Sequence, residues 1–156
     1  WEYRVLRRVR ELAARAEQFG LVLLHENCAG WAGADAKRAL VMIEEARSPA
    51  LRLLFDTGNG LAYGYQAVEM LPQLIEFVEH VHVKDGLPGP VWQVPGQGDV
   101  DVARCLNLLL DHGYGGALSI EPHLSLRPHE RDGRPGTLAG FLAAGRALES
   151  LLVEVR

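Results

Sequence analysis

Val5, Val9, Leu12, Ala16 and Phe19 recur at three- and four-residue steps, which places them on one face of a helix that Gly20 is positioned to end. Leu21-Val22-Leu23-Leu24 follows as a continuous apolar run of strand length, the pattern of a parallel strand covered on both faces, and it stops at His25-Glu26-Asn27. Asp35 is placed to cap a helix through about Ala46, ahead of the breaker Ser48-Pro49. Leu51 to Phe55 reads as a second buried strand, closed by Asp56-Thr57-Gly58-Asn59. Tyr65 to Val78 is helical in pattern and broken near Pro72; Val81-His82-Val83 is a short third strand running into Lys84-Asp85. The Gly- and Pro-rich stretch from Gly86 to Gly98 is too long for a plain connection and predicts a functional loop. Asp99 or Asp101 caps a helix to about His112, and Gly113 ends it. Ala117 to Ile120 forms a fourth strand before Glu121-Pro122-His123. A polar loop from Leu124 to Thr137 leads to a last helix, Leu138 to about Val153. Helices alternate with strands throughout, so the fold class is α/β with a parallel sheet of about four strands, and residues 1–156 form a single domain.

Parallel α/β folds carry their chemistry at the carboxyl ends of the strands, where loops converge over rigid backbone. Each predicted strand delivers a polar residue there: in order Glu26, Asp56, His82 and Glu121. Taken singly, each has an ordinary explanation. Glu26 suits a helix cap, Asp56 a turn, His82 a hydrogen-bonded core position and Glu121 a strand terminus. Their shared topological position is the stronger signal. Three carboxylates and an imidazole, without sulfur, suit a divalent metal: Mn first, with Mg, Co or Zn as alternatives. A cation would also remove the mutual repulsion of clustered carboxylates.

Composition narrows the partners. Of the residues, 48% are hydrophobic and 23% charged, as in a folded globular chain, and the net charge of -4 opposes a nucleic-acid partner gripped by charge. No apolar run approaches the roughly 20 residues that span a bilayer, so no membrane partner is expected and a cytoplasmic location is the default. Cys28 and Cys105 fit no metal-binding spacing and read as reduced thiols.

The segments His25-Glu26-Asn27, Phe55-Asp56-Thr57-Gly58-Asn59, His80-Val81-His82-Val83-Lys84-Asp85, Gly96-Gln97-Gly98-Asp99-Val100-Asp101 and Ile120-Glu121-Pro122-His123 resemble, in order, the xylose isomerase-like TIM barrels, specifically the sugar phosphate isomerase/epimerase branch. The resemblance covers the second half of that barrel, since a full barrel needs about 250 residues. It implies an incomplete or half barrel: a fragment, or a unit that pairs as a homo-oligomer or with a complementing half-barrel. It also implies that Glu26, Asp56, His82 and Glu121 bind one divalent ion, usually Mn, with Glu26 and Glu121 as catalytic acid and base. The implied activity is that of a metal-dependent sugar or sugar-phosphate isomerase or epimerase working through an enediolate. A keto-cyclitol dehydratase and a non-catalytic assembly module are the alternatives. His25, Trp31, Asn59 and Lys84 are the expected substrate contacts, and His25 and Asn27 flank Glu26 as orienting partners. Two positions depart from the family pattern. Asn59 stands where many members have histidine, and Pro88 where sugar epimerases often have arginine. Asn59 and the negative net charge also oppose the DNA-binding endonuclease branch of the same fold.

Overall fold

The computed structural model describes residues 2–89, 91–124 and 137–155. In chain order the elements are α1 (Glu2–Gln18), β1 (Leu23–Glu26), α2 (Ala36–Ala46), β2 (Leu51–Asp56), α3 (Gly60–Tyr63) and α4 (Ala67–Leu74). After them come β3 (Val78–Val83), β4 (Asp85–Leu87), β5 (Val91–Gln93), α5 (Val102–Asp111), β6 (Ala117–Ile120) and α6 (Thr137–Glu154). β1, β2, β3 and β6 form one parallel sheet in that order, as the alternation of helices and strands predicts. Most of the expected loop from Leu124 to Thr137 lies outside the described residues.

Local chemistry sets the boundaries. Past the end of α1, Gly20 adopts φ +64, its N–H bonds Glu17 O at 3.1 Å, and Leu21 N–H reaches Ala16 O at 2.9 Å, closing the last turn. Asp35 caps α2 by accepting from Arg38 N–H. Asp101, rather than Asp99, caps α5 by accepting from Arg104 N–H.

The helices cover one face of the sheet: α2 and α4 pack on β2, α1 on α2, and α5 on α4. Leu51, Leu53, Phe55, Val81 and Val83 point into that layer and are buried with Leu71, Leu74, Leu106 and Leu109. The alternate residues, Arg52, Leu54, His80 and His82, are only half-buried on the other face. The strand periodicity thus separates a dry, helix-facing side from a face that carries polar groups.

Three sequence expectations change. The helix expected to reach Val78 ends at Leu74, and a short 3₁₀ turn, Ile75–Phe77, leads into β3 three residues earlier than expected, because Val78 and His80 pair with β2. The stretch after Lys84 contains a two-stranded hairpin in which Gly86 stands opposite Trp92. Leu21, Val22 and Leu24 are exposed rather than covered on both sides; Leu21 and Val22 precede β1, which starts at Leu23 and is an outer strand of the sheet. Among the described residues, no helix is long and apolar enough to cross a membrane.

Candidate functional site

Parallel register brings the strand ends level: Asp56 lies beside His82 across β2 and β3. Glu121 N–H continues the ladder one residue past β6 by bonding Val83 O. Glu26, Asp56, His82 and Glu121 each offer one oxygen or nitrogen, and these atoms all lie within 4.8 Å of one another. Asp56 Oδ2, His82 Nδ1 and Glu121 Oε2 are buried and receive no well-aligned hydrogen bond. Buried polar atoms ordinarily find partners; here the Lys84 ammonium meets two of the three, and the four converging donors could hold a cation. The hard oxygen and imidazole donors suit a divalent ion.

Lys84 lies against this cluster. Its side chain is 5% exposed, with Nζ 2.9 Å from Asp56 Oδ2, 2.6 Å from Glu121 Oε2 and 3.1 Å from Asn59 Oδ1. Thr57 fixes the lysine backbone: its hydroxyl donates to Lys84 O and accepts from Lys84 N–H. The ammonium also stands 5.2 Å from the centre of the Trp92 ring. Trp92 packs in turn on His123, whose Nε2 is 3.1 Å from Glu121 Oε1.

Burial pushes the Asp56 carboxyl up to about 7, against the pull of Lys84. Glu121 sits below the usual carboxylate range, held there first by His82 and then by Asp56 and Lys84. His82 moves the other way, raised chiefly by its contact with Glu121. Burial works against the Lys84 ammonium, yet Asp56 and Glu121 together raise its pKa. The cluster thus sets carboxylates against an ammonium and an imidazole whose pKa values shift one another.

The expected substrate contacts separate. Asn59 is buried with its amide donating to Glu26 Oε1 at 2.9 Å and Asn27 O at 3.0 Å, and its oxygen accepting from Lys84. Those bonds use both amide hydrogens, so Asn59 orients Glu26 and Lys84 instead of presenting a free amide. His25 does not join the cluster. One residue from Glu26 on a strand, it faces the helices, beside Ala32, Ala39, Leu53, Phe55 and Leu74, and burial lowers its pKa. Trp31 is half-buried against the hydrophobic core.

Two supporting residues were not singled out for these roles by the sequence. Tyr65 donates its hydroxyl to Asn27 O and accepts from Asn27 Nδ2; Asn27 also brackets Asp56, accepting its N–H and donating to its carbonyl. Asp85 is buried, and its carboxylate accepts from the N–H groups of Gly86, Gly96, Gly98 and Val100, which gathers the Gly-rich loop beneath the hairpin. An aspartate followed by a glycine-rich segment was the available signal. Gly98 is required there, because an added Cβ would lie 2.2 Å from Asp85 Oδ1 and 2.4 Å from Gly86 N.

The chain is similar to known proteins along nearly its whole length. It is 26% identical to an inosose dehydratase of Clostridium perfringens over 131 residues, covering 72% of this chain and 44% of the relative. It is 36% identical to a 2-epi-5-epi-valiolone 7-phosphate 2-epimerase of Actinoplanes sp. over 104 residues, covering 65% of this chain and 36% of that relative. In fold it matches a D-psicose 3-epimerase of Clostridium cellulolyticum H10 with TM-score 0.79 and 18% identity, over 99% of this chain and 56% of that structure. The chain thus spans about half the length of the proteins it matches or less, and its four parallel strands fit half of a barrel. The family model for xylose isomerase-like TIM barrels matches residues 1–141, and the chain belongs to that family.

Proposed function

We propose that the chain carries the metal-binding half of an enzyme site that removes a proton beside the ketone of a polyhydroxylated substrate. That step is common to sugar epimerases, aldose-ketose isomerases and dehydratases of keto-cyclitols. One observation carries the reading: Asp56, His82 and Glu121 turn buried donor atoms toward one point, and Glu26 completes a cluster whose four donors lie within 4.8 Å of one another. These four residues would hold one divalent ion, Mn by preference, and a bound ion supplies Lewis-acid polarisation of the ketone. Glu26 and Glu121 project from the outer strands of the sheet and so approach a substrate from two sides. One glutamate takes the proton from the carbon beside the ketone. If the other returns a proton to the opposite face, that centre is inverted; if a proton returns at the neighbouring carbon, aldose and ketose exchange. Asn59 holds Glu26 in place, and Lys84 brings a fixed positive charge to the developing negative oxygen.

Dehydration is the second reading, and Lys84 favours it specifically. A buried ammonium touching the acid/base glutamate is placed to protonate a departing hydroxyl after the same first step. Relatives named for an inosose dehydratase and for a valiolone-phosphate epimerase support one shared step with two outcomes.

The test measures bound metal in wild type and Glu121→Gln, then follows deuterium uptake from D2O into an inosose. The expected result is about one Mn per folded wild-type chain, lost in the folded variant, with deuterium entering beside the ketone only in the wild type. A folded wild type that takes up no divalent metal overturns the reading.

A further inference from the structure

His123 has a backbone conformation that no helix end explains. Three non-glycine residues among those described have positive φ: Arg47, Asp101 and His123. Arg47 closes α2, the ordinary place for left-handed geometry, and Asp101 is an aspartate, a residue type that tolerates it, capping α5. His123, at φ +46, follows a strand and Pro122. The ladder bond from Glu121 N–H to Val83 O keeps Glu121 extended, and the proline after it disfavours helical geometry at that residue. The turn therefore falls at His123, and it sets the ring back beside the carboxylate two residues earlier.

That placement divides the two oxygens of Glu121. Oε1 faces His123 Nε2 at 3.1 Å. Oε2 is buried and faces the cluster: it lies 2.6 Å from Lys84 Nζ and 3.6 Å from His82 Nδ1. The imidazole is itself supported, packed against the Trp92 ring at 5.8 Å between centroids with a 38° tilt. Trp92 sits on the hairpin whose first residue, Asp85, anchors the loop below by its four backbone bonds. A left-handed, non-glycine residue at a site, its ring against Trp92, is the kind of outlier that motivates a functional reading.

We propose that His123 is a positioning residue: an N–H of its imidazole holds Glu121 Oε1, so that Oε2 is the oxygen kept turned toward Asp56 and His82 for the metal. This deepens the metal reading above and rests on it. Partners of metal-binding carboxylates typically contribute 10- to 100-fold in metal affinity, because an unheld carboxylate must be ordered when the ion binds.

The experiment is titration of the metal-free full chain with Mn2+ alone, followed by calorimetry and by the spin-resonance signal of the free ion. It compares wild type, His123→Gly and His123→Gln. Glycine removes the donor and accepts φ +46 without strain. Glutamine keeps an N–H donor of similar reach without an aromatic ring. The expected result is Mn2+ affinity roughly 10- to 100-fold weaker in His123→Gly, recovered in large part by His123→Gln, with near-ultraviolet circular dichroism showing both variants folded. If His123→Gly does not fold, His123→Asn replaces it, since asparagine tolerates this backbone while its shorter amide falls short of Oε1. Equal affinity in wild type and the donor-less variant overturns the proposal while leaving the metal site standing. Equal weakening in His123→Gln and His123→Gly overturns the donor role. Absence of Mn2+ binding in the folded wild type overturns both this inference and the metal reading.

Discussion

Asp56 and Asp85 both lie at the carboxyl ends of neighbouring strands, at 0% and 1% exposure, yet their surroundings treat the carboxylate in opposite ways. Asp85 spends both oxygens on backbone: Oδ1 accepts from Gly86 and Val100, Oδ2 from Gly96 and Gly98. Asp56 spends only one. Its Oδ1 accepts from Gly58 and Asn59 N–H at 2.8 Å each, while Oδ2 faces Lys84 and the cluster without an aligned hydrogen bond. A carboxylate given backbone donors on both oxygens organises chain; one that turns an oxygen to a buried ammonium in the same degree of burial belongs to the charged cluster. Burial alone would not separate the two, but the count of directed donors does.

The largest effect expected from breaking this comparison is on folding. Asp85→Ala strands four backbone N–H groups, each costing about 1–3 kcal/mol when it finds no new partner. Some of the loop will reach water, so the expected loss is about 3–5 kcal/mol in all, read as a lower urea midpoint. A loss under about 1 kcal/mol would mean the loop holds itself without the aspartate.

Asp56→Asn should do the reverse: spare the fold and remove the metal. The amide oxygen can still accept from Gly58 and Asn59, but the anionic Oδ2 is gone, and Mn affinity should fall by more than ~100-fold. The pH dependence of the metal-free protein sharpens this. Asp56 binds its proton up to about pH 7 when folded and only to 3.8 when unfolded. Folding therefore takes up a proton between those values, and wild-type stability falls as pH rises from about 4 to about 7. Glu121 acts with the opposite sign, because its lowered pKa stabilises the fold above the unfolded value and that contribution is lost as pH drops. Asparagine removes the first effect and, because Asp56 helps lower the Glu121 pKa, weakens the second. Wild type should thus lose stability relative to Asp56→Asn as pH rises across that window, measured by urea unfolding at pH 4.5 and 8. A difference that stays flat with pH would show that the Asp56 carboxyl is charged throughout.

The same contrast explains how far the sequence could be read. The alternation of apolar runs and helical faces predicted the parallel sheet, and the polar residue at the end of each run located Glu26, Asp56, His82 and Glu121, because strand ends in such sheets converge by geometry. What stayed hidden depends on directions and partners that no local pattern encodes. Lys84-Asp85 reads as two charged residues past a strand, but alternation and the hairpin send the lysine into the cluster and the aspartate under the loop. Val78 carries a helical neighbour pattern, and only pairing with β2 draws it into β3. Asn59 looks available for a hydroxyl until Glu26, Asn27 and Lys84 are seen to occupy its amide.

His25 gives the smallest expected effect and the cleanest check on the polarity of the sheet. It adjoins Glu26 in sequence, but strand geometry turns it to the opposite face, where Nε2 is buried without a partner and the ring interacts with the backbone at Ala32. His25→Leu removes that orphan nitrogen and adds apolar contact to Leu53, Phe55 and Leu74, while giving up the bond at Ala32. These contributions oppose one another, each worth about 1 kcal/mol, so net stability should move by about 1 kcal/mol or less. Mn affinity should stay within about twofold of wild type, since a residue on the helix-facing side reaches the cluster only through the β1 backbone. A tenfold loss of Mn affinity would mean that the two faces of β1 are coupled through Glu26, and that the separation of a dry side from a chemical side, on which the assignment of the four strand-end residues depends, does not hold at this strand.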